Sequence, residues 1–308
     1  MPFVRSSAFG AGFRRKRIFK NVLMGALILG FLSLLPVFFL KIRGASRNES
    51  RELRDSFETG AFEAAYEQSS QMLIKKPLDF FLLTIHGFSA YQLAIAQTNT
   101  FDTLSFVDDC IWSLRKALLS RGNDGRVLYV LGKAYYYKGS GYSDLAVSYL
   151  EKARAALYRA ADIPEYLGLA YAAMKDFRSS VEAFSLALVG DTSPSDILLL
   201  AIAQSYLALD EVDSAKAYII RCLEITKDSI TTAAARLVLG NTLAKTGDIQ
   251  GAEKEYLMVI EENGDNAEAH FQLGELYALA GDVTRARAEW RRAIRIDPAH
   301  GPARSRLN

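Results

Sequence analysis

Apolar residues recur at helical spacing along most of this chain. Near its end, Phe271, Leu276, Tyr277 and Ala280 share one helical face, and Ala286, Trp290 and Ala293 share another. The spacing predicts two amphipathic helices of about a dozen residues each. Gly281 and Asp282 supply the turn between them, the Gly ending one helix and the Asp suited to cap the next. The same punctuation stands 34 residues earlier, where Leu239, Gly240, Gly247, Asp248, Ala252 and Tyr256 match Leu273, Gly274, Gly281, Asp282, Ala286 and Trp290. A fixed period of this size predicts helix pairs laid side by side, each covering the oily flank of its neighbour.

Earlier copies keep parts of the pattern. Tyr206 leads to Ala215, Ile219 and Cys222, with about three extra residues around 227–232. Leu167-Gly168-Leu169-Ala170-Tyr171 leads to Ser180, Phe184 and Ala187. Leu131-Gly132 and Tyr135 precede Ala146, Leu150 and Ala153, across a turn at 139–143 with two extra residues. Gly87 precedes Leu114 and Ala117 across a lengthened middle at 97–103, and Gly60, Ala65 and Pro77 mark the first copy. About seven copies therefore cover roughly residues 46–300, mostly 34 to 37 apart.

The last copy reads His270-Phe271-Gln272-Leu273-Gly274-Glu275-Leu276-Tyr277, then Ala286, Trp290 and Pro298. It resembles a tetratricopeptide repeat, with His270 where an aromatic is usual. The resemblance implies an all-α chain: an α-solenoid of about seven helix-turn-helix repeats over residues 51–300, with 301–308 as a tail. It also implies that the first helix of each repeat lines a concave groove. The groove residues on that implication are Phe81, Phe88 and Tyr91, then Tyr129, Lys133 and Tyr136, then Glu165 and Leu169, with Gln204 and Asn241 further on. Their aromatic and polar mixture suits an extended peptide or an apolar helix. The carboxylate clamp of co-chaperone members is not expected. Asn241 matches one of its Asn positions, but Leu237 replaces the Lys, Gln272 the second Asn, and Lys133 stands where another Asn belongs.

A different pattern precedes the repeats. Residues 22–40 hold no charge, and Ser33 is their only polar side chain. A helix of this length roughly spans the hydrocarbon core of a bilayer, so one transmembrane helix is expected, with 41–50 as a juxtamembrane linker. Residues 43–45 make a poor cleavage site, which favours an uncleaved anchor over a signal peptide. Six cations and no acid precede the span, while Lys41, Arg43, Arg47, Arg51 and Arg54 follow it. The short tail 1–21 is expected to stay cytoplasmic, which puts the repeats on the opposite, extracytoplasmic side.

The chain's net charge of +2 conceals that asymmetry, since everything after the tail sums to about −4. A mildly acidic array lacks the basic stripe of a nucleic-acid binder. Cys110 and Cys222 fall at packing positions three repeats apart, beyond disulfide reach, and predict buried thiols. An extracytoplasmic domain without disulfides points to the periplasmic face of a bacterial inner membrane. None of the three histidines shares a face with a carboxylate at metal-ligand or triad spacing. No catalytic residue, cofactor or metal site is expected.

The expected function is therefore a membrane-anchored scaffold that binds a protein or peptide in its groove. The alternative is a carrier of a lipid or another apolar small molecule, with the 97–103 insertion as its lid. The short stretch after Pro298 leaves the last pair without an obvious cap, so a partner, a second copy or the tail itself should cover it.

Overall fold

The computed structural model describes residues 47–189 and 194–307. The apolar stretch 22–40 and the basic tail lie outside them, and no helix among the described residues is long and apolar enough to cross a membrane. The described residues are all-α, with fifteen helices and no strand. They divide into two compact units at the turn after residue 176.

The first unit holds α1 (Arg47–Glu58), α2 (Phe62–Lys75), α3 (Phe80–Ala96), α4 (Thr100–Ser120), α5 (Gly125–Lys138), α6 (Ser143–Ala155) and α7 (Ile163–Ala173). The second holds α8 (Phe177–Leu188), α9 (Asp196–Ala208), α10 (Val212–Ile225), α11 (Ser229–Lys245), α12 (Ile249–Glu262), α13 (Ala267–Leu279), α14 (Val283–Ile296) and α15 (Gly301–Leu307). Within each unit, successive helices pack on one another in chain order.

The two helices of a pair are patterned differently because they are buried differently. Every residue of α3 from Phe80 to Tyr91 is buried, since α2, α4 and α5 surround it. Second helices bury one stripe only, commonly small, large, small: Ala146, Leu150 and Ala153 on α6, and Ala286, Trp290 and Ala293 on α14. The large member sits against a glycine of the first helix. A Cβ placed on Gly274 would lie 2.6 Å from Trp290, and one on Gly132 2.7 Å from Leu150. Gly87 faces Leu114 and Gly240 faces Tyr256 in the same way. The fixed glycine is thus a socket for the aromatic or Leu of the partner helix.

The turns are equally regular. Asp176, Glu211, Asp248 and Asp282 each donate a backbone N–H to the carbonyl five residues back, at 2.8 to 3.0 Å, and the residue before each has positive φ. That bond closes the preceding helix with a left-handed residue. Gly247 and Gly281 adopt it at φ 84° and 83°, while Lys175 and Asp210 adopt it as non-glycines. Asp248 and Asp282 then accept from Gly251 and Arg285 N–H at 2.9 Å, which caps the next helix as their spacing predicts.

Several boundaries differ from expectation. Residues 97–103 form no lid: three residues make the turn, and the rest begin α4, which is 21 residues long. The extra residues around 227–232 likewise lengthen α11 to 17 residues. The two extra residues at 139–143 form a 3-10 turn, Ser140–Tyr142. The expected linker 41–50 is helical from Arg47. Residues 301–307 are not a loose tail but α15, which lies on α14 with Ala303 fully buried and Leu307 packed on the core of the last pairs. Arg306 pairs with Glu275, and His300 lies 3.2 Å from Glu268. The chain thus covers the end of its last pair itself, which removes the structural ground for expecting a second copy there.

Candidate partner-binding surface

The first helices place the expected groove residues at very different depths. Phe81 and Phe88 are buried in α3, and the Phe88 ring packs 6.5 Å from that of Phe57. Tyr91, Tyr129 and Lys133 are also buried, so a partner does not meet them at an open surface. Tyr136 and Glu165 are half-buried, and Leu169 sits at the margin of burial. In the second unit Gln204 and Asn241 are half-buried, and Asn241 accepts a hydrogen bond from Tyr256 at 2.6 Å.

Four of these residues meet in one cluster. Lys133 is 1% exposed, and its ammonium donates to Asp162 at 2.8 Å and to the Tyr129 hydroxyl at 3.0 Å. Tyr129 in turn donates to Asp162 at 2.7 Å. Aromatic faces surround the same ammonium, which lies 4.2 Å from the Tyr166 ring, 5.1 Å from Tyr129 and 5.6 Å from Tyr91. A buried cation needs such partners to offset its lost hydration. Tyr136 packs edge-on against Tyr166 at 5.4 Å and Tyr137 at 5.6 Å, and the Tyr137 and Tyr166 hydroxyls are 3.2 Å apart.

The electrostatics follow from this crowding. Burial pushes the hydroxyl pKa values of Tyr91, Tyr129 and Tyr166 well above the ordinary range, and the Asp162 carboxylate adds to the effect on each. Burial also raises Tyr158 to about 12. These tyrosines are held neutral as hydrogen-bond and packing groups. The cluster pins α5 to α7, with Tyr136 half-buried at its side.

Asp162, Tyr137 and Tyr166 complete the cluster without belonging to the predicted set. Asp162 precedes α7 yet makes no cap there, because its carboxylate is turned to Lys133 and Tyr129. The run Tyr135-Tyr136-Tyr137 and an Asp 29 residues after Lys133, nearly one repeat, are the only traces of it in the sequence.

Other chemistry-bearing residues are engaged structurally. His270 fills its aromatic's place with Nδ1 2.6 Å from Glu289 and Nε2 3.2 Å from the Gly264 carbonyl. Cys110 and Cys222 are buried, matching their packing positions, and the Cys222 thiol donates to the Asp196 carbonyl at 3.2 Å. Among the described residues no group of three His, Cys, Asp or Glu side chains could hold a metal ion.

Residues 198–229 and 232–300 match the Tetratricopeptide repeat family, so the chain carries tetratricopeptide repeats across α9 to α14. The anaphase-promoting complex subunit CDC16 of Saccharomyces cerevisiae is 30% identical over 183 residues, which are 58% of this chain and 21% of that protein. The chain thus spans about a fifth of the length of this curated relative. A chain of the Cut9–Hcn1 hetero-tetramer of the APC/C superposes with a TM-score of 0.58 at 14% identity, over 95% of this chain and 52% of its own length. PilW, a type IV pilus biogenesis factor, superposes with a TM-score of 0.58 at 17% identity, over 72% of this chain and 98% of its own. At such identities the two structures carry the likeness of fold alone.

Proposed function

We propose that this chain is a membrane-tethered interaction scaffold whose first helices bind a protein partner as an extended segment or a helix. The observation that carries the reading is the edge where Tyr136 and Glu165 are half-buried and Leu169 lies at the margin of burial. It rests on a tyrosine cluster hydrogen-bonded around Lys133 and between Tyr137 and Tyr166. Rigid aromatics at a surface bind with little loss of side-chain freedom. The repeats are consistent with this use, and CDC16, the relative matched over more than half of the chain, is by name a subunit of a complex.

The tether is residues 22–40, with tail 1–21 in the cytoplasm and the repeats on the other side, in a bacterium the periplasm. Uncharged sequence over a bilayer's thickness and the acid-free basic tail support it.

Gentle extraction of the full chain from its native membranes, followed by native mass spectrometry, tests the reading. A complex with a different protein is expected, and it should weaken with Tyr136→Ala but not with Leu257→Ala on the exposed side of α12. Recovery of the chain only alone, or only as copies of itself, contradicts the reading.

A further inference from the structure

The outer side of the first two helix pairs carries large apolar side chains that no described residue covers. Ile74 is 83% exposed, Leu78 62%, Trp112 51% and Leu119 81%. Helices α2 and α4 run beside each other in the same direction. Tyr66 meets Phe106 at 5.5 Å and donates to Asp109 at 2.6 Å. At the far ends, the Arg121 guanidinium after α4 lies 4.3 Å over the ring of Phe80, which follows the α2–α3 turn. Leu78, in the α2–α3 turn, and Leu119, in the last turn of α4, therefore lie at the same end of the two helices. Trp112 and Leu119 are seven residues apart on α4, hence on one face.

Charge distinguishes this edge from the rest of the array. Residues 68–78 and 110–123 contain Lys75, Lys76, Arg115, Lys116 and Arg121 and no acid at all, although the chain beyond its tail is net acidic. Of the acids that border the two segments, Glu67 is exposed and lies seven residues before Ile74 on α2, while four others are engaged. Asp79 and Asp124 cap α3 and α5, Asp109 takes the Tyr66 hydroxyl, and Asp108 pairs with Lys138. Lys116 lies 3.5 Å over the Trp112 ring, which brings cation and aromatic to one spot.

We propose that this edge seats on an anionic lipid bilayer, with Ile74, Leu78, Trp112 and Leu119 at the headgroup boundary and the cations among lipid phosphates. Apolar and aromatic side chains mixed with Lys and Arg are what an interfacial site requires. The proposal rests on the tether reading, which also brings the surface within reach: residues 41–46 between the apolar stretch and α1 extend at most about 20 Å. The tether then holds the first repeats down on the membrane, so that the tyrosine cluster is presented at a set height.

The test uses the full chain reconstituted into vesicles of phosphatidylglycerol and brominated phosphatidylcholine, with Trp112 emission as the readout. Trp290, the only other tryptophan, is buried in the second unit, and a Trp112→Phe chain supplies its baseline. The expected result is loss of the greater part of Trp112 emission, restored by the double substitution K75E/R121E and weakened by salt. If the chain floats with the vesicles but Trp112 emits equally with and without bromine, the seating is wrong and the tether stands. A chain that fails to float overturns the tether and the seating together. Shielding of Trp112 in native membranes but not in pure lipid assigns the edge to a protein and also overturns the proposal.

Discussion

Single residues in this chain are chosen by backbone geometry as often as by contact. Gly247 has φ 84° and nothing within 4 Å of where a Cβ would sit, so its conformation alone requires glycine. Gly247→Ala should cost about 1 kcal/mol through the strained left-handed backbone. The converse site is Leu157, exposed at the end of α6 with φ 58°, where Leu157→Gly should stabilise by about 0.5 kcal/mol after the larger unfolded-state entropy is offset. Urea unfolding of both variants measures the two signs. At Lys133 the contacts decide. Lys133→Ala leaves Asp162 and Tyr129 without their cation, and about 3 kcal/mol should be lost in the same assay, because breaking one side of a buried pair costs more than the pair contributes.

Ionisation acts on the same cluster. The buried hydroxyls of Tyr91, Tyr129 and Tyr166 have folded pKa values raised above their unfolded value near 10. Below that pH both states are protonated and the stability contribution is complete. Above it the unfolded chain releases protons that the folded one retains, so stability falls as pH rises. Unfolding midpoints measured between neutral pH and pH ~11 should drop beyond ~10, with these tyrosines ionising only as the first unit opens.

At the scale of helices, the pattern of pairing was legible because one geometric need recurs. A glycine on the first helix meets a large side chain on the second at Gly87, Gly132, Gly240 and Gly274. Lengths were less legible. An insertion can extend a helix or bulge as a loop, and in 97–103 and 227–232 the helical option prevailed, extending α4 and α11. Burial of the Tyr129–Lys133 face was not legible either, because its counter-charge arrives from the next pair through Asp162. The short α15 was hidden by its length, and its anchoring is now specific. Truncation after Pro298 should destabilise the second unit by about 2 kcal/mol through loss of the Ala303 and Leu307 contacts. Trp290 emission during unfolding reports it, and a truncated chain that unfolds like the full one would show α15 to be ornamental.

At the scale of the whole molecule, two compact all-α units share one construction: helix pairs closed by left-handed turns and filled through glycine sockets. That construction leaves function to surfaces. In the first unit a tyrosine cluster hydrogen-bonded around Lys133 underlies the edge proposed to dock a partner. On the helices that precede it lies the apolar and basic edge proposed to meet lipid. The likeness to CDC16 of Saccharomyces cerevisiae covers about a fifth of that protein, so it bears on the repeats and not on a whole activity.

The claim on which the rest depends is that Tyr136 stands where another protein docks. Placing a photoreactive phenylalanine at position 136 of the full chain, in the cells that produce it, tests this at a single ring. The account predicts one dominant adduct with a different protein, absent when the probe stands at Leu257. Adducts with lipid alone, or with a second copy of the chain alone, would contradict it.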